Sequence, residues 1–149
     1  MDLSTKIKYL GEVSLFEGLP EEDLLDIADL STVKKYSKHQ IIYRVGDPAE
    51  DVYVLFNGTI KIVSKSGEGR EVIKTIIHPK SLFGTEYVSA NALRSNTAKS
   101  IDKDLVCLSI NSQDFKAYLK ANWNLAEKFI KMLIDSRNVT YLLEKRNSV

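Results

Sequence analysis

Between Thr32 and Ile110 the chain is cut into short apolar runs by closely spaced turn residues, and this punctuation narrows the choice of fold more than any other feature. Thr32 to Ser37 and Gln40 to Val45 flank a polar turn at Lys38-His39. Gly46-Asp47-Pro48 is a strong turn signal. Val52 to Asn57 is apolar on both faces, as a strand buried between two layers is. Asn57-Gly58 reads as a two-residue hairpin turn, after which Thr59 to Ser64 places Ile60 and Ile62 on one face. Ser66-Gly67-Glu68-Gly69 reads as a second hairpin loop and Glu71 to Ile77 as its returning strand. His78-Pro79-Lys80 turns into a short strand ending at Phe83. Asn96 to Ile101 and Leu105 to Ile110 complete the series. Strands this short, at this spacing, predict a mainly β sandwich or jelly roll over residues 32–111.

Helical periodicity is confined to the two ends. In residues 1–31, Leu3, Ile7 and Leu10 recur at helical spacing. Pro20 suits the first turn of a second helix, with Glu21, Glu22 and Asp23 near its positive end and Leu24, Ile27 and Ala28 on one face. In residues 112–149, Ser112 reads as an N-cap before a helix carrying Phe115, Tyr118 and Leu119. Asn122 or Asn124 then caps a segment that runs to about Arg146 without Gly or Pro. Leu125, Met132 and Val139 lie seven apart, and Phe129, Ser136 and Leu143 form the set offset by four. That is an a/d seam interrupted by Ser136, and it predicts a parallel homodimer through the C-terminal helix. Ile130, Leu133, Ile134, Tyr141 and Leu142 widen the apolar surface at its sides.

Composition removes several function classes. Cys107 is the only cysteine, so no intramolecular disulfide and no four-cysteine metal site can form within one chain. With 21 Lys plus Arg against 20 Asp plus Glu, the overall charge does not favour a polyanion surface. The small basic cluster Lys34, Lys35 and Lys38 reads as a solvated face. No apolar run approaches membrane-spanning length, and a soluble cytoplasmic protein without membrane contact is the expectation. His39 and His78 sit beside turns and far apart, so they read as surface residues with no metal role. Nothing has the spacing of a nucleophile with its base or of paired catalytic carboxylates, and no enzyme is expected.

The segment from Ser81 to Ser100 is the candidate functional stretch. Its strand ends in Leu82-Phe83, and Gly84 follows. A glycine there lets the backbone take unusual dihedrals and a ligand come close, and successive N–H groups after it can form an anion-binding concavity. A polar loop then leads to Thr97-Ala98 and another extended run.

The run Gly46-Asp47-Pro48-Ala49-Glu50-Asp51-Val52-Tyr53-Val54-Leu55-Phe56-Asn57-Gly58 resembles the core of a cyclic-nucleotide-binding domain. Leu82-Phe83-Gly84, Thr97-Ala98, the strand to Ile110 and the terminal helices follow in that family's order, over nearly the whole chain. The similarity is to the sensor half of Crp/Fnr-type transcription regulators. It implies a jelly roll (a double-stranded β-helix) with a long dimerisation helix, and DNA contact only through a helix-turn-helix domain that this chain lacks. It also implies cAMP or cGMP as effector, held at Phe83, Gly84, Thr85, Glu86, Arg94, Asn96, Thr97 and Ala98. Two positions depart from the family pattern of Gly-Glu and Arg-Ser/Thr-Ala. Thr85 follows Gly84, with the carboxylate one place later at Glu86. Asn96 stands where arginine is expected, and the nearest arginine is Arg94. Either Glu86 and Arg94 are displaced and still face the pocket, or they are solvated loop charges and the pocket is degenerate for cAMP, suited to a neutral or weakly anionic effector or serving only as a dimerisation scaffold.

Overall fold

The computed structural model describes residues 1–85 and 92–135 in full and the backbone alone of 136–147. The N-terminal part is α1 (Leu3–Leu10), a short 3-10 turn (Ser14–Phe16) and α2 (Glu21–Leu30). The Asp2 side chain caps α1 by accepting from the Thr5 N–H at 2.8 Å. Pro20 falls one residue earlier than its sequence suggests, at the N-cap of α2, with three acidic residues in the turn that follows.

Among the described residues eight strands come next: β1 (Ser31–Tyr36), β2 (Ile41–Tyr43), β3 (Asp51–Asn57), β4 (Ile60–Lys65), β5 (Glu71–Ile77), β6 (Leu82–Phe83), β7 (Thr97–Ser100) and β8 (Leu105–Asn111). They form two antiparallel four-stranded sheets, ordered β1-β8-β3-β6 and β2-β7-β4-β5, in a jelly-roll-like arrangement. One expectation is corrected here. Asn57-Gly58 is not a hairpin, because β3 and β4 belong to different sheets. Gly58, at φ +98°, turns the chain across the sandwich, and the Asn57 amide donates to the Asp104 carbonyl at 2.8 Å. An Asn-Gly pair supplies the positive φ of a sharp turn but does not dictate what the flanking strands pair with.

The helices α3 (Ser112–Ala121) and α4 (Trp123–Asn147) close the chain. Asn111, not Ser112, caps α3, accepting from the Gln113 and Asp114 N–H groups at 2.9 and 3.2 Å. Ser112 is buried and donates to the Ala49 carbonyl. The first sheet lies between two cores. Its outer face packs Val52, Val54, Leu108 and Ile110 against the helices, while Tyr53, Leu55, Leu105 and Cys107 face the second sheet. That placement explains why β3 and β8 carry apolar residues on both faces.

The a/d seam also needs correction. Leu125 and Phe129 are buried in the helix-covered core, and the Phe129 ring meets Phe115 edge-on at 5.3 Å. Met132 packs against the same cluster. The side chains of Ser136, Val139 and Leu143 lie outside the described residues. Among the described residues of α4, the apolar ones left exposed are Trp123, Ile130 and Ile134. An a/d pattern marks an apolar stripe, and here the sandwich, with the N-terminal helices, already occupies its first half.

Candidate ligand site

The site lies at the edge where β6 ends. Phe83 pairs with Tyr53 of β3, and their rings stack at 4.9 Å with an interplanar angle of 12°. Tyr43 of β2 extends the stack from the opposite sheet, 6.0 Å from Tyr53 and 6.5 Å from Phe83. Gly84 follows at φ +71°, a conformation that L side chains rarely adopt. A Cβ built there would stand 2.9 Å from Arg94 Nη1 and 3.2 Å from the Tyr53 ring, so a side chain at this position would have to displace the guanidinium. Thr85 is buried, and Glu86 lies outside the described residues.

Of the two places left open for Arg94, the structure shows the one that faces the cleft. It is not a solvated loop charge, because only 4% of it is exposed. Residues 92–94 run beside the Gly46–Ala49 turn, tied to it by Ala49 N–H to Ala92 O, Arg94 N–H to Asp47 O and Gly46 N–H to Arg94 O at 2.7–2.9 Å. A bend at Ser95 and Asn96 separates them from β7. From that anchored backbone the guanidinium donates to the Gly84 carbonyl at 2.9 Å and to the Asp51 carbonyl. Its central carbon stands 4.1 Å above the Tyr43 ring and 5.9 Å from that of Tyr53, a cation–π geometry. Among the described residues no carboxylate pairs with it, and its buried Nε has no hydrogen-bond partner.

The remaining predicted residues take other places. Asn96 is half-buried and reaches only the Ser95 hydroxyl, at 3.4 Å. Thr97 Oγ1 accepts from the Val45 N–H at 3.1 Å, so its hydroxyl braces the chain just after β2. Ala98 is fully buried between Tyr43 and Ile62 of the neighbouring strands. Beside Arg94 opens a cleft of about 250 Å³, with Tyr43, Tyr53, Pro48, Glu50 and Asp51 in its wall. Sequence reasoning missed Tyr43 and the Asp51 carbonyl. A main-chain acceptor leaves no mark in a sequence, and Tyr43 had only its place as one aromatic in a strand. Burial raises the Tyr53 hydroxyl well above its ordinary pKa, with the Arg94 charge working weakly in the opposite sense. Cys107 and the two histidines are as expected, the cysteine packed and the histidines exposed. The described residues contain no cluster fit for a metal ion and no helix long and apolar enough to cross a membrane.

Residues 33–122 match the cyclic nucleotide-binding domain, and the chain belongs to that family. Among curated relatives, it is 32% identical to human cGMP-dependent protein kinase 2 over 72% of its own length and 14% of the kinase. It is 18% identical to a CRP-like cAMP-activated global transcriptional regulator of Mycobacterium tuberculosis, over 85% of its own length and 56% of that protein. The chain thus spans little of the first relative and about half of the second. Among solved structures, the sensor domain of the transcriptional regulator DNR from Pseudomonas aeruginosa superposes with a TM-score of 0.76 at 20% identity, over 99% of this chain and 95% of that one. The regulatory subunit of a cAMP-independent protein kinase A from Trypanosoma cruzi, bound to guanosine, superposes at 0.71 with 19% identity, over 79% of this chain and 41% of that one.

Proposed function

We propose that this chain is the effector-sensing, dimerising domain of a cytoplasmic Crp/Fnr-like transcription regulator, a binding module and not an enzyme, with a pocket degenerate for cAMP. The observation that carries the reading is Asn96. The resemblance puts it where the family's arginine is expected, and it offers a short neutral amide held by one long contact. A missing charge-assisted bond to a phosphate is worth about 1.5–3 kcal/mol, on the order of tenfold to a hundredfold in affinity. Calorimetric titration is expected to show weak or no binding of cAMP and cGMP to the parent, and stronger binding to Asn96→Arg. Tight binding by the parent overturns the reading. Thr85→Glu, the other change toward the family pattern, is a poorer probe because Thr85 is buried.

Dimerisation is assigned to the apolar residues exposed on the described part of α4: Trp123, Ile130 and Ile134. Ile130→Glu with Ile134→Glu is expected to give a folded monomer in sedimentation analysis. A parent that is already monomeric at high concentration removes the dimer. A second reading, a regulatory module of a nucleotide-responsive kinase, is favoured by the 32% identity to cGMP-dependent protein kinase 2. Under it the guanosine held by the trypanosomal subunit points to a ligand without phosphate.

A further inference from the structure

We infer that the free edge of β5 receives one extended segment of a partner protein, apolar at alternate positions and acidic between them, which joins the four-stranded second sheet as a further strand. The surface stands apart from the ligand cleft, whose wall includes Tyr43 of β2 at the other edge of the same sheet.

Four strands stand at sheet edges: β1, β6, β2 and β5. An open edge presents unpaired N–H and C=O groups that recruit other strands, so edges are ordinarily kept short, charged or covered. β2 and β6 are short, with three and two residues. β1 carries Lys34 and Lys35, and Lys6 of α1 donates to the carbonyl of its first residue, Ser31, at 2.9 Å. β5 has none of these protections. It is seven residues long, and among the described residues nothing pairs with its outer edge. Val72, Ile73, Thr75, Ile76 and Ile77 are β-branched and suit a pleated neighbour. Val72, Ile73 and Ile76 are 41%, 55% and 38% exposed. The register on β4 steps from Val63–Ile73 to Ile62–Thr75, so Lys74 is a bulge residue with no partner opposite it. Its main-chain groups add to those an incoming strand meets.

Charge sets the kind of partner. Both oxygens of the Glu71 carboxylate are taken, one by Lys61 and the other by Lys99 at 3.1 Å. Among the described residues no carboxylate pairs with Lys74. Two lysines thus share one glutamate and a third has none, which leaves the strip beside the edge cationic. A second copy of β5 would bring the same surplus of lysine to the contact, whereas an acidic strand supplies the missing carboxylates. Like charges set opposite each other across a strand pair are destabilising, and opposite ones favourable. In strand addition of this kind the main-chain bonds hold the segment and the alternate side chains select it.

The test records nitrogen-15 amide spectra of the full chain while the blocked peptide acetyl-Thr-Val-Glu-Val-Glu-Val-Thr-amide is added. The control is the same peptide with lysine for both glutamates. Saturable shifts centred on residues 71–77 with the acidic peptide, together with slowed amide exchange there, support the inference. No saturable shift up to about 1 mM peptide overturns it, as does an equal response to the lysine peptide. Shifts at the same amides on raising the protein concentration alone assign the edge to a second copy and overturn it too. Lys74→Glu is expected to weaken the acidic peptide about three- to tenfold and to strengthen the lysine peptide, since one exposed attraction is replaced by a repulsion of similar size. Unchanged preference in that variant defeats the charge argument. Ile73→Thr keeps a β-branched residue but removes exposed apolar surface, and should weaken both peptides alike. Should Lys74→Glu not fold, the parent's choice between the two peptides still decides.

Discussion

The two faces of the first sheet solve different problems with alternate residues of the same strands. Toward the helices, Val52, Val54, Leu108 and Ile110 meet only apolar partners such as Leu10, Phe16 and Phe115. Toward the second sheet, Tyr53, Leu55, Leu105 and Cys107 begin the same way, but the layer ends in stacked rings and a buried arginine. The outer face needs volume and apolarity alone, and many side chains provide both. The inner edge needs one cation held by particular carbonyls, and few arrangements provide that. The outer face is accordingly the place for stability and the inner edge the place for specificity.

The sharpest break in that comparison is Phe115→Ala. Phe115 is 2% exposed and joins α3 to α4 through Phe129. Its truncation is expected to cost about 3–5 kcal/mol in urea unfolding. The Arg94 Nε resonance should stay where it is, because the cavity opens on the far side of the sheet. A shift there would show that the two faces are coupled.

Two glycines sharpen the contrast at the next level. Gly58 and Gly84 both hold positive φ, so alanine at either is expected to cost more than about 1 kcal/mol. Their surroundings differ. A Cβ on Gly58 meets the Leu105 Cα at 3.2 Å, backbone that cannot step aside. On Gly84 the nearest atom is the far end of Arg94, which can. Gly58→Ala should therefore be the more destabilising in thermal melts. Gly84→Ala should stay folded and displace Arg94, seen as a moved Nε resonance. Equal losses with an undisturbed Arg94 would argue that the turn, not the packing, is what requires Gly84.

Alkali probes the inner layer separately. Burial pushes the Cys107 thiol up from its ordinary value to about 12, and burial likewise pushes the Tyr36 hydroxyl up to about 12. Both groups are raised in the folded state, so the folded form is favoured while they stay protonated. The stability they add is complete below the unfolded thiol value, near 9.0, and is lost as pH climbs toward 12. Chemical denaturation at stepped pH should show a fall beginning near pH 9, and Cys107→Ala should delay its onset until the tyrosines begin to ionise. A thiol that reacts rapidly with an aromatic disulfide reagent near neutral pH in the folded protein would contradict the burial.

What could be read in advance follows the same division. The strands and flanking helices were legible because burial imposes a period on the sequence, and Val52 to Asn57 even showed its two-sided burial. The pairing across Asn57-Gly58 was not, since one turn geometry serves both a hairpin and a crossing between sheets. The α4 stripe was legible as apolar but not as intramolecular, because Leu125 and Phe129 look the same against a sandwich as against a second helix. Around Arg94 the decisive partners are main-chain oxygens of Gly84 and Asp51, and their positions depend on the whole fold. The place of Arg94 cannot be read from its distance to Asn96 in sequence, because the chain bends at Ser95 and leaves Arg94 tied to the Gly46–Ala49 turn.

The smallest effect is expected where a polar group crosses into the apolar face. Tyr9 of α1 is buried and donates its hydroxyl proton to the Leu55 carbonyl, while the Lys80 N–H donates to the same hydroxyl at 2.6 Å. That bridge looks costly to remove, but the Lys80 N–H also reaches the Leu55 carbonyl directly, at 2.9 Å. Phenylalanine at position 9 would therefore leave both main-chain groups partnered with each other. The ring would keep its tilted contact with Phe56, at 4.4 Å between centroids. With no orphaned donor or acceptor, Tyr9→Phe should lose only about 0.5–1 kcal/mol, the low end for one hydrogen bond. Its urea midpoint should move slightly with an unchanged slope. Tyr9→Ala, which empties the space as well, should fall in the same range as Phe115→Ala. If Tyr9→Phe alone costs as much as Tyr9→Ala, the hydroxyl and not the ring is what fixes α1 to the sheet, and the outer face is less purely apolar in its demands than its side chains suggest.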